Sequence, residues 1–147
     1  KERLTRVVEL FNKTAEILKT VFVVHTPTRK YLLKFGLMGR LSRKIDVLDM
    51  QDYATFTALM RNAKMVLADG GSIQEECAYL NKPCLVLRKK TERQDGLGDN
   101  VVLWNFDEQI AEKFFKMAKG GWPSRMDAWP EPSKNIVERI AEYGDVH

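Results

Sequence analysis

A chain of 147 residues with 44% hydrophobic and 30% charged side chains has ordinary globular composition and room for one domain with a sizeable core, which excludes a disordered or fibrous protein. Its formal net charge of +4 is modest, and no apolar run approaches the roughly 18 to 20 residues of a membrane span. The opening KERLTRVVEL is charged and amphipathic and lacks a signal peptide's apolar core, so a cytoplasmic protein without membrane contact is expected.

Apolar residues Leu4, Val7, Val8, Phe11, Ala15 and Leu18 recur at helical spacing and predict an amphipathic helix. Val21 to His25 follows as a short apolar, β-branched run of the kind buried on both faces of a parallel sheet. The next helix is expected to start with Thr26 as N-cap and Pro27 at its first position, and to stop at Gly36. The alternation continues with strand Ile45 to Met50, helix Asp52 to Asn62, strand Met65 to Asp69, helix Ile73 to Leu80 and strand Cys84 to Leu87. Val101 to Trp104 then reads as strand, Asp107 to Lys119 as helix, and Ser133 to Tyr143 as a last helix capped by Ser133. Strands alternating with helices imply crossover connections and a parallel sheet covered on both faces. Between the last two helices, Gly120 to Pro132 holds two Gly, three Pro and two Trp, a composition that suggests an ordered loop packed on another domain.

Cys77 and Cys84 stand in a C-x6-C spacing that matches neither a zinc nor a redox motif, so two buried, reduced thiols and no metal are expected. Arg88, Lys89, Lys90 and Arg93 concentrate positive charge in one short stretch. Aromatic residues are not interleaved there as a nucleic-acid stacking surface requires, so a small phosphorylated ligand suits the cluster better. Ligands of open α/β sheets bind outside the carboxyl ends of the strands, where a tight turn enters a helix whose amino terminus favours anions. Asp69-Gly70-Gly71-Ser72 has that layout. The same residues have a second explanation, because Ser72 and Glu75 form an S-x-x-E capping box that needs no ligand.

The stretch ADGGSIQEECAYLNKPCLVLRKKTERQDGLGDNVVL, from Ala68 to Leu103, separates these readings. It resembles the signature region of the non-hydrolysing UDP-N-acetylglucosamine 2-epimerases, roughly D-S-G-G-x-Q-E-E, then G-K-P, V-L-R and T-E-R-P-E. Asp69, Gly71, Gln74, Glu75, Glu76, Lys82, Pro83, Val86, Leu87, Arg88, Thr91, Glu92 and Arg93 match in register, and weaker similarity reaches VVHTPTRKYLLKFGL, Phe56 and Leu59-Met60. Two departures stand out. Gly70 replaces the family's serine, with Ser72 two places later, and Thr91-Glu92-Arg93-Gln94-Asp95 lacks the family's proline.

The resemblance implies an α/β fold with a Rossmann-like parallel sheet and helices on both faces. Residues 1–147 would form a single UDP-binding domain, the carboxyl-terminal half of a two-domain enzyme of glycosyltransferase B (GT-B) type. It implies that Gly70, Gly71 and Ser72 bind the diphosphate, Glu76 the ribose hydroxyls, and Arg93 the phosphates. Two ionised phosphates suit backbone N–H groups and a guanidinium, and paired hydroxyls suit one carboxylate. Arg88 leaves a strand end where it can assist or form a surface ion pair. His25 lies near the site in relatives or is satisfied at its strand end, and Phe56 lies near the uracil or packs in the core along the stripe Tyr53, Phe56, Met60 and Ala63.

The implied reaction interconverts UDP-GlcNAc and UDP-ManNAc by elimination and re-addition of UDP, with no cofactor. The sugar-facing carboxylates belong to an amino-terminal domain of the same enzyme, which is expected to be a homodimer. The rival readings are a GT-B sugar donor domain and a non-catalytic doubly wound binding module. In the 3-2-1-4-5-6 order of such sheets, the family's first strand lies just before Lys1, between the strands ending at His25 and Asp69. Those two strands are expected either to close on each other, which is preferred, or to receive a strand from another segment or chain.

Overall fold

The computed structural model describes residues 1–122 and 132–144. Helix α1 (Glu2–Ala15) leads into strand β1 (Thr20–Val23), and α2 (Thr26–Lys34) with a 3-10 turn at Met38–Arg40 returns to β2 (Ile45–Leu48). Then α3 (Tyr53–Asn62) connects to β3 (Val66–Ala68), and α4 (Gly71–Tyr79) connects to β4 (Cys84–Val86). A loop reaches β5 (Val101–Leu103), followed by α5 (Glu108–Gly120) and α6 (Pro132–Gly144). All strand pairs are parallel, joined by long crossovers that are helical in β1-β2 and β3-β4 and a loop in β4-β5.

Local chemistry explains most of the boundaries. Asp52 caps α3 by accepting from the Thr55 N–H at 3.0 Å, and Asp107 caps α5 by accepting from the Gln109 N–H at 2.8 Å. Such caps satisfy amides that a helix start leaves without partners. Gly36, at φ 66°, makes the left-handed exit after α2. His25 rather than Thr26 is the N-cap of α2, and Ser133 lies inside α6 rather than capping it. Residues 123–131, most of the Gly/Pro/Trp stretch, lie outside the described residues; Trp122 before them packs on Phe114 with ring centroids 5.7 Å apart.

The central strand β4 shows how both faces are covered. Leu85 joins a cluster with Phe11 of α1 and Phe114 of α5, while Cys84 and Val86 on the opposite face pack with Cys77 and Ala78 of α4 and with Met60 of α3. Both cysteines are buried free thiols. A hydrogen bond with Cys77 and burial raise the Cys84 thiol well above its usual pKa, so it stays protonated at neutral pH.

The expected closure of the sheet does not occur. Strands form two separate sheets, β1-β2 and β3-β4-β5, and among the described residues β1 and β3 have no strand partner on their facing edges. Neighbours within each half agree with a 3-2-1-4-5-6 order in which β2 and β1 take places three and two, and β3 to β5 take places four to six. A cleft of about 1790 Å³ runs between the halves, with Val21, Phe22 and Leu67 on its walls and Val7, Val8 and Phe11 of α1 on its floor.

Helix α1 acts as a spacer. Its Asn12 donates to the Arg40 carbonyl at 2.8 Å and accepts from the Ser42 N–H at 2.7 Å, beside the β1-β2 half. On the other side Lys13 pairs with Glu108 at 2.7 Å, and Arg6 donates to the Phe106 carbonyl. Phe11 also meets Phe22 edge to face, with centroids 5.0 Å apart. Bringing β1 against β3 would break one of these two sets of contacts.

Candidate functional site at the carboxyl edge of the strands

The outer rim of the cleft is polar where its interior is apolar. It carries His25 and Gln51 from the β1-β2 half, and Asp69, Gly70, Ser72, Glu76 and Arg88 from the β3-β5 half, with Lys89 and Lys90 beside them. Strand β3 ends at Ala68, and the chain turns through Asp69 into α4 with Gly70 as N-cap and no side-chain cap. The first intrahelical bond there is Gln74 N–H to Gly70 O at 3.2 Å. The amides of Gly71, Ser72 and Ile73 therefore precede the helical ladder and point outward, the usual anion site of a helix start.

This geometry corrects the expected capping box. With Gly70 as the cap, Ser72 falls at the second helical position and Glu75 at the fifth, too far along for an S-x-x-E exchange. Glu75 instead accepts from Arg93 Nη1 at 2.9 Å. Gly71 has a separate steric role: a Cβ built on it would lie 3.2 Å from Cγ and Nε of Arg93 and 3.3 Å from Glu92 Oε1. The glycine lets the Arg93 side chain lie across the turn.

His25, Phe56, Gly70, Ser72, Glu76 and Arg88 line one cleft; Gly71 and Arg93 are not among its lining residues. His25 is exposed. Phe56 is half-buried, lines the cleft and packs against the Met60 cluster, so its two expected roles coincide in one side chain. Arg88 lies 3.7 Å from Glu92 in an open ion pair. Glu76 is the exception among these charges: its Oε2 is buried and has no hydrogen-bond partner. A buried carboxylate oxygen without a donor is costly, which makes it a place where a ligand's donors are in demand.

One buried polar residue beside the site received no role from the sequence. Gln74 is fully buried on the inner face of α4 with Cys77 and Ala78. An uncharged polar residue in register with an otherwise apolar helical stripe was the available signal.

A parallel α/β fold with a cleft at the carboxyl ends of its strands, and a glycine turn entering a helix on that rim, defines a domain of the doubly wound α/β class. Residues 1–145 match the family described as UDP-N-acetylglucosamine 2-epimerase, and the chain belongs to that family. It is 34% identical over 155 residues to the UDP-N-acetylglucosamine 2-epimerase of Methanocaldococcus jannaschii, covering 98% of this chain and 41% of that protein. It is 31% identical over 113 residues to a UDP-2,3-diacetamido-2,3-dideoxy-D-glucuronate 2-epimerase of Pseudomonas aeruginosa, covering 75% of this chain and 31% of the relative. Among solved structures it resembles the Methanocaldococcus jannaschii enzyme in complex with UDP-GlcNAc and UDP, with TM-score 0.78 and 29% identity over 97% of this chain and 41% of that one. The chain thus spans less than half the length of these relatives.

Proposed function

We propose that the chain is the UDP-binding, carboxyl-terminal domain of a UDP-N-acetylglucosamine 2-epimerase, and that Glu76 accepts hydrogen bonds from the ribose hydroxyls. The single observation that carries this reading is the buried, partnerless Oε2 of Glu76 on the rim of the cleft. Two ribose hydroxyls would satisfy it, and the amides of Gly71, Ser72 and Ile73 together with Arg88 and Arg93 supply charge-assisted donors for the diphosphate. Phe56 offers an aromatic face to the uracil, and His25 closes the opposite side of the rim.

In the reaction, a base removes the proton at C2 of the sugar, the C1–O bond breaks, and its electron pair leaves with UDP. Re-addition of UDP at C1 with protonation of C2 from the other face completes the inversion. This domain contributes the leaving-group site: donors held ready for the diphosphate before charge develops lower the barrier to its departure. The base and the other sugar-facing carboxylates belong to the amino-terminal domain of the same protein. A homodimeric, cytoplasmic enzyme supplying an activated sugar for polysaccharide follows from this reading. The sugar is UDP-GlcNAc or a close derivative, since one relative is named as a UDP-2,3-diacetamido-2,3-dideoxy-D-glucuronate 2-epimerase.

The interior of the cleft suits a different occupant from its rim. Val7, Val8, Phe11, Phe22 and Leu67 surround it, and a diphosphate placed there would lose its hydration without gaining donors. A β-strand would satisfy both unpaired edges and cover that apolar surface. The strand is supplied by the polypeptide leading into α1, because a right-handed βαβ unit through α1 puts such a strand beside β1.

Calorimetric titration of the 147-residue chain with UDP tests the reading. Binding in the micromolar to millimolar range, without epimerisation of UDP-GlcNAc, is expected. No heat at millimolar UDP, or turnover by this chain alone, overturns it.

A further inference from the structure

We infer that Gln74 is a positioning residue that anchors the Thr91–Asp95 loop and so places Arg93 at the diphosphate; this rests on the reading of Arg93 as a phosphate-binding residue. The loop has no regular secondary structure of its own, yet it carries that arginine. Gln74 Nε2 donates to the carbonyl of Arg93 at 3.2 Å and to that of Asp95 at 3.1 Å. Its Oε1 accepts from the Thr91 hydroxyl at 2.8 Å, and the same hydroxyl accepts from the Arg93 N–H at 3.2 Å. The Arg93 peptide is therefore gripped at both ends, directly at its carbonyl and through Thr91 at its amide. Two carbonyls at one end of the amide and a hydroxyl at the other also fix which atom is nitrogen.

The grip originates on a rigid element. Gln74 sits one turn into α4, the helix whose first amides form the proposed anion site, so one helix orders both the backbone donors and the guanidinium. Within the loop, Arg93 then reaches over Gly71 to Glu75. A side chain fully buried with both N–H groups and its oxygen engaged has little freedom, which suits it to hold a loop that has no ladder of its own. An apolar replacement leaves two carbonyls and a hydroxyl without these partners and releases the loop.

The test uses the full-length protein and compares wild type, Gln74→Met, Arg93→Ala and the double variant. Gln74→Met is expected to weaken UDP binding about tenfold, the scale of one charge-assisted hydrogen bond, while adding almost nothing to the loss in Arg93→Ala. Trypsin should also cut faster after Lys89, Lys90 and Arg93 in Gln74→Met, and thermal melting separates this from global unfolding. Thr91→Val, which breaks only the hydroxyl arm, should give a smaller loss. A Gln74→Met effect that persists at full size without Arg93 overturns the positioning role, as does unchanged UDP affinity in Gln74→Met. If Arg93→Ala itself leaves UDP affinity intact, the phosphate reading of Arg93 fails and the positioning role falls with it. Tryptic cleavage identifies that case, because it still reports whether Gln74 holds the loop.

Discussion

The β1-β2 half joins its strands through a helix, whereas the β3-β5 half joins β3 to β4 through a helix and β4 to β5 through a loop, and the two halves differ further in how their strands are covered. β4 is buried at every position because it has a strand on each side and helices on both faces. Among the described residues β1 has a strand on one side only, and Val21 is 41% exposed. Turns follow the same division. Gly96 is enclosed, and a Cβ there would meet Asn100 Oδ1 and Val101 Cγ2 at 2.6 Å; Gly36, with a similar positive φ, has open space around it. The β3-β5 half is the framework that carries the glycine turn, Glu76 and the loop of Arg93, whereas the other half contributes His25 and Gln51 to the rim. The β1-β2 half has a core of its own around Val24, Leu32 and Leu37, but the half whose central strand is covered on every side carries most of the site.

The contrast between the two glycines is the largest test. Gly96→Ala should destabilise by about 3 kcal/mol, combining backbone strain with overpacking. Gly36→Ala should cost about 1 kcal/mol, from strain alone. Urea denaturation of the two variants measures the difference, and equal losses would remove the distinction between the halves.

A smaller effect sharpens the site within the packed half. Glu76→Gln should weaken UDP binding by about 1 to 3 kcal/mol, the range for a hydrogen bond to a charged group, as read by titration of the full-length protein.

The smallest effect belongs to its neighbour. Glu75 and Arg93 form a partly exposed pair, with side chains 30% and 46% accessible, of a kind worth at most about 1 kcal/mol and screened by salt. Because Glu75 competes with phosphate for the guanidinium, Glu75→Gln should leave UDP binding unchanged or slightly tighter, with the difference fading as salt is raised. Equal losses in Glu75→Gln and Glu76→Gln would show that the two carboxylates have been assigned wrongly.

Much of the fold was legible in the residues. Asp52 and Asp107 announce helix starts, Gly36 announces a stop, and short β-branched runs mark the strands, since these signals act over a few residues. Local signals also misled. Ser72 and Glu75 have the spacing of a capping box, but the helix starts at Gly71 because the preceding turn already makes Gly70 the cap. Gln74 looked like one letter of a motif, and its three hydrogen bonds arise from a loop about twenty residues away in sequence.

By itself the sequence determined the alternation of strands and helices, the parallel connections, the glycine turn and membership of the family, because each is written in periodicity, spacing and residue type. Three features were decided only by the tertiary structure: the separation of β1 from β3 by α1, the buried oxygen of Glu76 without a partner, and the pairing of Arg93 with Glu75. Each depends on where residues distant in sequence meet. A helix spacer, an excluded donor and a loop folded back over a glycine are set by packing, and periodicity carries no information about them.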